Sequence, residues 1–235
     1  MDDLDGRLVV LDDERKPLAR QALELIAHAI GDVQPVGELL AELEEARLGM
    51  PSGGDYHLLT YLDDDGKPMA AAAGVYLKGV NAGFITYLAV RKDQRGAHLG
   101  RRLRAHVVQA MRDEALRTTG QDLAWIVGEV RQESPWLKTL VRDGEAIPFD
   151  MPYFHPWQSR RGHARYVLYR EPVTDPRTEL GADEVLRLLY NIYRRAYRLR
   201  FPLHSDNFCF MLGDLEGRET VGVHANFEEV LGEGD

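Results

Sequence analysis

Apolar positions along the 235-residue chain change their period several times. Arg7–Leu11 is a short β-rich run that reads as a first strand. From Lys16 to Ile30, Leu18, Ala22, Leu25, Ile26 and Ala29 recur at helical spacing, and Gly31 supplies a stop. Val36, Leu39, Leu40, Leu43 and Ala46 repeat that pattern up to Gly49-Met-Pro51. The period then switches. Tyr56–Leu62 and Pro68–Leu77 flank Asp63-Asp-Asp-Gly-Lys67, whose Asp-Gly pair is a strong hairpin signal. Lys78-Gly-Val-Asn-Ala-Gly83 makes a second turn into Phe84–Val90, so three antiparallel strands are expected after two helices.

Residues 91–100 are polar and glycine-bearing, and Leu99–Arg117 reads as a long helix. Its apolar stripe is Leu99, Leu103, Val107, Ala110, Met111 and Ala115, with most of its arginines off the stripe. Leu123–Val130 reads as a strand and Pro135–Val141 as a short helix with proline in its first turn. Ile147–Met151 and Tyr166–Arg170 are expected to pair as a final hairpin around a Pro/His/Arg-rich segment. The order β-α-α-β-β-β-α-β-α-β-β mixes a meander with helical crossovers, so the fold class is α+β. Past Asp175-Pro176 the character changes. Asp183–Arg200 reads as one helix, with Val185, Leu188, Leu189, Ile192, Tyr193, Ala196 and Leu199 on one side and five arginines on the other. A shorter element is expected over Asn207–Leu212, before an acidic, glycine-rich tail. Residues 1–175 therefore read as one domain and 176–235 as a helical extension.

Charge sharpens this division. The chain carries a formal −9 overall, yet residues 81–201 hold 21 basic and 14 acidic side chains between two acidic ends. Such a middle attracts a small polyanion and leaves other surfaces suited to a cationic partner, whereas the negative total argues against a nucleic-acid coat. The single cysteine, Cys209, excludes an intrachain disulfide framework and a multi-cysteine zinc site. His98 and His106, eight apart on one helix, do not form an i,i+4 ligand pair, so no metal is expected. Met-Asp-Asp-Leu-Asp at the start lacks the basic and apolar regions of a secretory signal. The most apolar stretch, Pro68–Leu77, is half the roughly 20 residues a membrane span needs. A soluble, cytoplasmic protein is expected.

The informative stretch is Thr86–Leu103, a strand running into a small-residue loop and directly into a helix. That geometry aims unpaired backbone N–H groups at one point, with the positive end of the helix dipole behind them. It suits a pyrophosphate. The stretch lacks the Gly-Lys-Ser/Thr of a Walker loop and the Gly-x-Gly-x-x-Gly of a dinucleotide site. Arg95-Gly96-Ala97-His98-Leu99-Gly100, preceded by Leu88-Ala-Val90, resembles the signature of the GNAT superfamily of acyl-CoA N-acyltransferases. The resemblance implies a mixed, mostly antiparallel sheet flanked by helices, with acetyl-CoA as acyl donor. Backbone groups of Leu88 and Val90 would hold the pantetheine, and Arg95, Gly96, Ala97, His98, Leu99, Gly100 and Arg101 the pyrophosphate. His98 stands where the first signature glycine is usual: a near-helical backbone tolerates its β-carbon, and a positive φ strains it.

A second constellation follows on the next strand. Glu129-Val-Arg131 resembles the Glu-Val-Arg of ribosomal-protein-type N-terminal acetyltransferases, which implies Glu129 as the base that takes a proton from the attacking amine. The tyrosine that those enzymes use to protonate the coenzyme A thiolate aligns near Val141 here. Tyr153 or His155, in the aromatic and proline-dense run Ile147–Trp157, are the candidate substitutes. The reading is an N-acetyltransferase acting on an amine-bearing small molecule or peptide N-terminus. The alternatives are a degenerate acyl-CoA-binding sensor and an interaction protein using the arginine-faced helix. That helix reads as a packed addition, a lid or the seam of a homodimer.

Overall fold

The computed structural model describes residues 7–12, 16–31, 33–50, 56–96, 98–158 and 166–227. Seven strands form a mixed, mostly antiparallel sheet in the order β1-β2-β3-β4-β5-β7-β6, flanked by helices. The chain divides into two compact units, residues 1–76 with 85–121 and residues 77–84 with 122–235.

In the first unit, β1 (Leu8–Leu11) pairs antiparallel with β2 (Tyr56–Leu62), which pairs antiparallel with β3 (Pro68–Leu77). The expected Asp-Gly hairpin closes on the side chain of Asp63, whose Oδ1 accepts the N–H groups of Asp65 at 3.1 Å and Lys67 at 2.8 Å. Gly66 takes the left-handed φ of 75° that the turn requires. β3 is buried along its whole length, and its Ala70–Ala73 run keeps it thin. Gly74 completes that surface: a β-carbon there would lie 2.7 Å from Val107 and 2.9 Å from Met111 of α3 (Leu99–Thr119). The helix buries Leu99, Leu103, Val107, Met111 and Ala115, five of the six stripe residues, and Gly120 caps it at φ 71°. α1 (Lys16–Ile30) and α2 (Val36–Arg47) pack together. On α1 the buried residues are Ala19, Ala22, Leu23 and Ile26, so the helix presents a face rotated from the expected Leu18/Leu25 stripe. Leucines lie on both sides of Ala22, and packing selects between them. β4 (Ala82–Val90) starts two residues before the expected Phe84.

In the second unit, β5 (Trp125–Arg131) pairs antiparallel with β7 (Tyr166–Pro172), Glu129 opposite Leu168 and Arg131 opposite Tyr166. Paired residues share a face, so the strands divide cleanly. On one side Val167, Tyr169 and Val130 pack with Leu137, Leu140 and Val141 of α4 (Pro135–Arg142) and with Phe227. The other side carries Glu129. The expected pairing of residues 147–151 with β7 is present, but β6 is only Ile147–Pro148. Beyond it the backbone finds another partner: Asp150 N–H donates to Gly222 O at 3.0 Å, and His224 N–H to Pro148 O at 2.9 Å. A two-residue pairing of β8 (Leu180–Gly181) with β9 (Thr220–Val221) brackets α5 (Ala182–Asn191) and α6 (Asp206–Leu215).

The expected helix 183–200 is shorter. It remains α-helical to Asn191, widens into a π turn over Ile192–Ala196 and ends with Arg198 at φ 55°. Ile192, Tyr193, Ala196 and Tyr197 are all at most 2% exposed. Among the described residues no helix is long and apolar enough to cross a membrane.

Candidate functional site

Two features carry chemistry, one in each unit. The first is the turn that follows β4. Gly96 (φ 94°) and His98 (φ 55°) both adopt left-handed conformations, and α3 starts immediately after at Leu99. His98 thus keeps a conformation that glycine takes freely, at a cost of about 1–2 kcal/mol for an ordinary side chain. No side chain caps α3, and its first turn holds no acidic residue. Its first turn of backbone bonding closes with Arg102 N–H donating to His98 O at 3.1 Å. Leu99 is buried, which commits its side chain to the core, while Arg95 and Arg101 are exposed. Gly100 faces Leu88 and Val90, whose side chains a β-carbon would meet at 3.3 and 3.4 Å. Arg95 Nε donates to Val90 O at 3.5 Å. Ala97 lies outside the described residues. A diphosphate fits this turn: it lies at a helix N-terminus, the dipole is favourable and cations flank it.

The second feature is built around Glu129 on β5. Its side chain is 7% exposed. Oε1 accepts the hydroxyl of Tyr197 at 2.7 Å and lies 3.6 Å from His155 Nε2. Among the described residues Oε2, which is buried, finds no hydrogen-bond partner, and the same is true of Tyr153 Oη and His155 Nε2. Tyr153 and His155, two apart in an extended segment, point the same way. Tyr153 bridges to Tyr166 of β7, and the His155 ring lies 5.8 Å from the Tyr166 ring. Burial, and then the nearby Glu129 carboxylate, hold the Tyr153 phenol well above its ordinary value of 10.0, so it stays protonated. His155 Nδ1 accepts the N–H of Trp157 at 3.3 Å, which assigns the ring proton of the neutral imidazole to Nε2, facing Glu129.

The surrounding supports come from residues the sequence reading left in the extension. Asn207 of α6 is buried, and its Nδ2 donates to the carbonyls of His155 at 3.0 Å and Gln158 at 2.9 Å. The Tyr193 hydroxyl donates to Phe154 O. Its own pKa is raised by burial and by Glu129. Tyr197 packs edge-on against His155 at 4.7 Å and Phe84 at 5.8 Å. Sequence reasoning thus named Glu129, Tyr153 and His155, which the fold brings together, and missed Tyr193, Tyr197 and Asn207. The available signal was a pair of tyrosines four apart on an apolar face, since buried phenols need partners. Val141 is 1% exposed in the apolar cluster of α4, so this position offers no hydroxyl. Among the described residues no group of three or more His, Cys, Asp or Glu is placed to hold a metal ion.

Residues 23–122 match the acetyltransferase (GNAT) family. No curated protein matches the chain. Among solved structures, it is similar to the ribosomal-protein-S18-alanine N-acetyltransferase of Escherichia coli. That likeness has 15% identity and a TM-score of 0.50, over 71% of this chain and 92% of that one. It is similar also to a putative acetyltransferase from Acinetobacter baylyi, at 12% identity and a TM-score of 0.51, over 72% and 94% of the two chains. A chain of the NatC complex bound to Gag peptide and CoA gives 15% identity and a TM-score of 0.54, over 71% and 98%. At these identities the likeness concerns the fold.

Proposed function

We propose that this chain, whose residues 23–122 match the acetyltransferase (GNAT) family, is an N-acyltransferase carrying an acetyl (acyl) group from acetyl-CoA to a primary amine. The observation that carries this reading is the Glu129 carboxylate, buried, anchored through Oε1 and, among the described residues, without a partner at Oε2. An alkylammonium must lose a proton before it attacks, and Oε2 is a fixed acceptor for that proton. Tyr153, kept protonated by burial and by Glu129, is a donor for the departing thiolate, with His155 Nε2–H as the second candidate. Acetyl-CoA supplies a thioester that the neutral amine attacks directly, without an acyl-enzyme. The pantetheine would lie on the backbone of Leu88 and Val90, and the pyrophosphate on the turn from Arg95 to Arg101. Residues 1–175 would form the catalytic domain, and 176–235 an extension that braces the carboxylate.

The acceptor, an amine-bearing small molecule or a peptide N-terminus, finds support in a cavity of about 310 Å³ in the second unit. Its lining includes Asp150, Tyr166, Asp214 and Arg218. Arg218 lies 3.0 Å from Asp214 and 3.6 Å from Asp150, so two carboxylates share one guanidinium and the excess suits a cationic acceptor. A second reading, an acyl-CoA sensor without turnover, draws on Val141, which leaves no phenol on α4.

A panel of amines assayed with acetyl-CoA for thiol release separates the two. Transfer predicts release with at least one amine class. In Glu129→Gln, kcat should fall by roughly 10²–10⁴ while acetyl-CoA affinity holds, with a smaller loss at high pH, where the amine is already neutral. Coenzyme binding with no release for any amine supports the sensor. No coenzyme binding removes both.

A further inference from the structure

We propose that Tyr197, in the C-terminal extension, is a positioning residue for Glu129, which makes the extension part of the transfer machinery. The role rests on the acyl-transfer reading above; the contact does not. A carboxylate has two equivalent oxygens and a freely turning terminal torsion. A donor 2.7 Å from Oε1 removes that freedom and leaves Oε2 in one direction, buried and without a partner among the described residues.

The extension holds the hydroxyl where it is. The π turn is closed by Tyr197 N–H donating to Ile192 O at 3.0 Å. The chain then stops, with Arg198 left-handed at φ 55° and Leu199 N–H donating to Tyr193 O at 2.9 Å. π turns recur at functional sites, and strain of this kind persists where the surrounding structure over-determines it. The π turn ends at the residue before Tyr197 and the left-handed Arg198 follows it, so both devices adjoin the side chain that donates to the carboxylate. Tyr193 anchors the same turn from the other side, through the carbonyl of Phe154, next to His155. Among the described residues, the titratable groups that face Glu129 are Tyr153 and His155 from the 149–157 segment and Tyr193 and Tyr197 from the extension.

Two measurements test the assignment. The first needs no activity: a double-mutant cycle in urea unfolding with Tyr197→Phe, Glu129→Ala and the pair. Removing the hydroxyl should raise the unfolding constant by about tenfold with Glu129 present and by much less in the Glu129→Ala background, because a hydrogen bond to a charged group is lost only in the first case. Absence of coupling overturns the contact. The second uses an acceptor found in the panel. Tyr197→Phe keeps the ring against His155 and Phe84, and should lower kcat about ten- to hundredfold with KM for acetyl-CoA unchanged. The acid limb of the pH profile should move to higher pH, because the carboxylate has lost a donor that favours its charged form. Should the Tyr197→Phe variant fail to fold, fluorotyrosine at this position strengthens the same donor and should move that limb to lower pH. Activity reduced equally at every pH makes Tyr197 a packing residue and overturns the proposal. A wild-type chain that transfers nothing overturns the positioning role with the acyl-transfer reading, and coupling then reports a structural bond alone.

Discussion

His98 pays for its place in the turn. Its φ of 55° is one that L-residues adopt at a cost of about 1–2 kcal/mol, although histidine, like asparagine, is found there more often than most. The turn therefore keeps the conformation of a glycine without having one. Replacing it by glycine removes that cost and returns part of it as extra freedom of the unfolded chain. His98→Gly should stabilise the protein by about 0.5–1 kcal/mol, read as a higher urea midpoint, with acetyl-CoA affinity unchanged. Lower affinity in the glycine variant would instead make the imidazole a ligand contact. The strain was foreseeable as an alternative; its sign depended on a torsion angle that residue identity does not set.

Helix α3 and strand β3 lie as close as they do because the strand is lined with alanines and Gly74. The β-carbon of any other residue at 74 would fall 2.7 Å from Val107 Cγ1, a well-buried and stiff side chain, and 2.9 Å from the more pliable Met111 Sδ. Gly74→Val should cost about 1–3 kcal/mol in urea unfolding, with Gly74→Ala milder. Pairing Gly74→Ala with Val107→Ala should recover part of the loss; a cost unchanged by that pairing would place the clash elsewhere. The helix itself was legible, since five of its six stripe residues are buried. The 183–200 segment was legible only to Asn191. Beyond it the helix widens into a π turn over Ile192–Ala196 and stops at Arg198 with its φ of 55°.

Across the molecule, pH acts on several groups with the same sign. Burial lowers the pKa of His57 below its ordinary 6.5, so the folded state binds fewer protons than the unfolded one. The stability this represents is complete above pH 6.5 and is lost as pH falls through the lowered folded value. Hydrogen bonds from Arg91 depress Asp63, and those from Arg177 depress Asp175 and Glu184; their contributions are lost at still lower pH. Stability should therefore fall in two stages on acidification, the first beginning near neutrality. His57→Gln should flatten that first stage in urea midpoints measured between about pH 7 and 5. An unchanged slope would remove His57 as its source.

Local pattern was enough for the two leading helices, the β2–β3 hairpin with its Asp-Gly turn, the strand–turn–helix around residue 96, and the candidacy of Glu129, Tyr153 and His155. Each depends on periodicity, turn chemistry or a motif contained in a short window of chain. The partners of those residues had no such trace. Tyr197 meets Glu129 across 68 positions, Asn207 meets His155 across 52, and Asp150 pairs with Gly222 beyond the end of its own hairpin. A contact between distant positions leaves no mark on the spacing of either one. The side chains that brace the carboxylate were therefore set by packing of the extension.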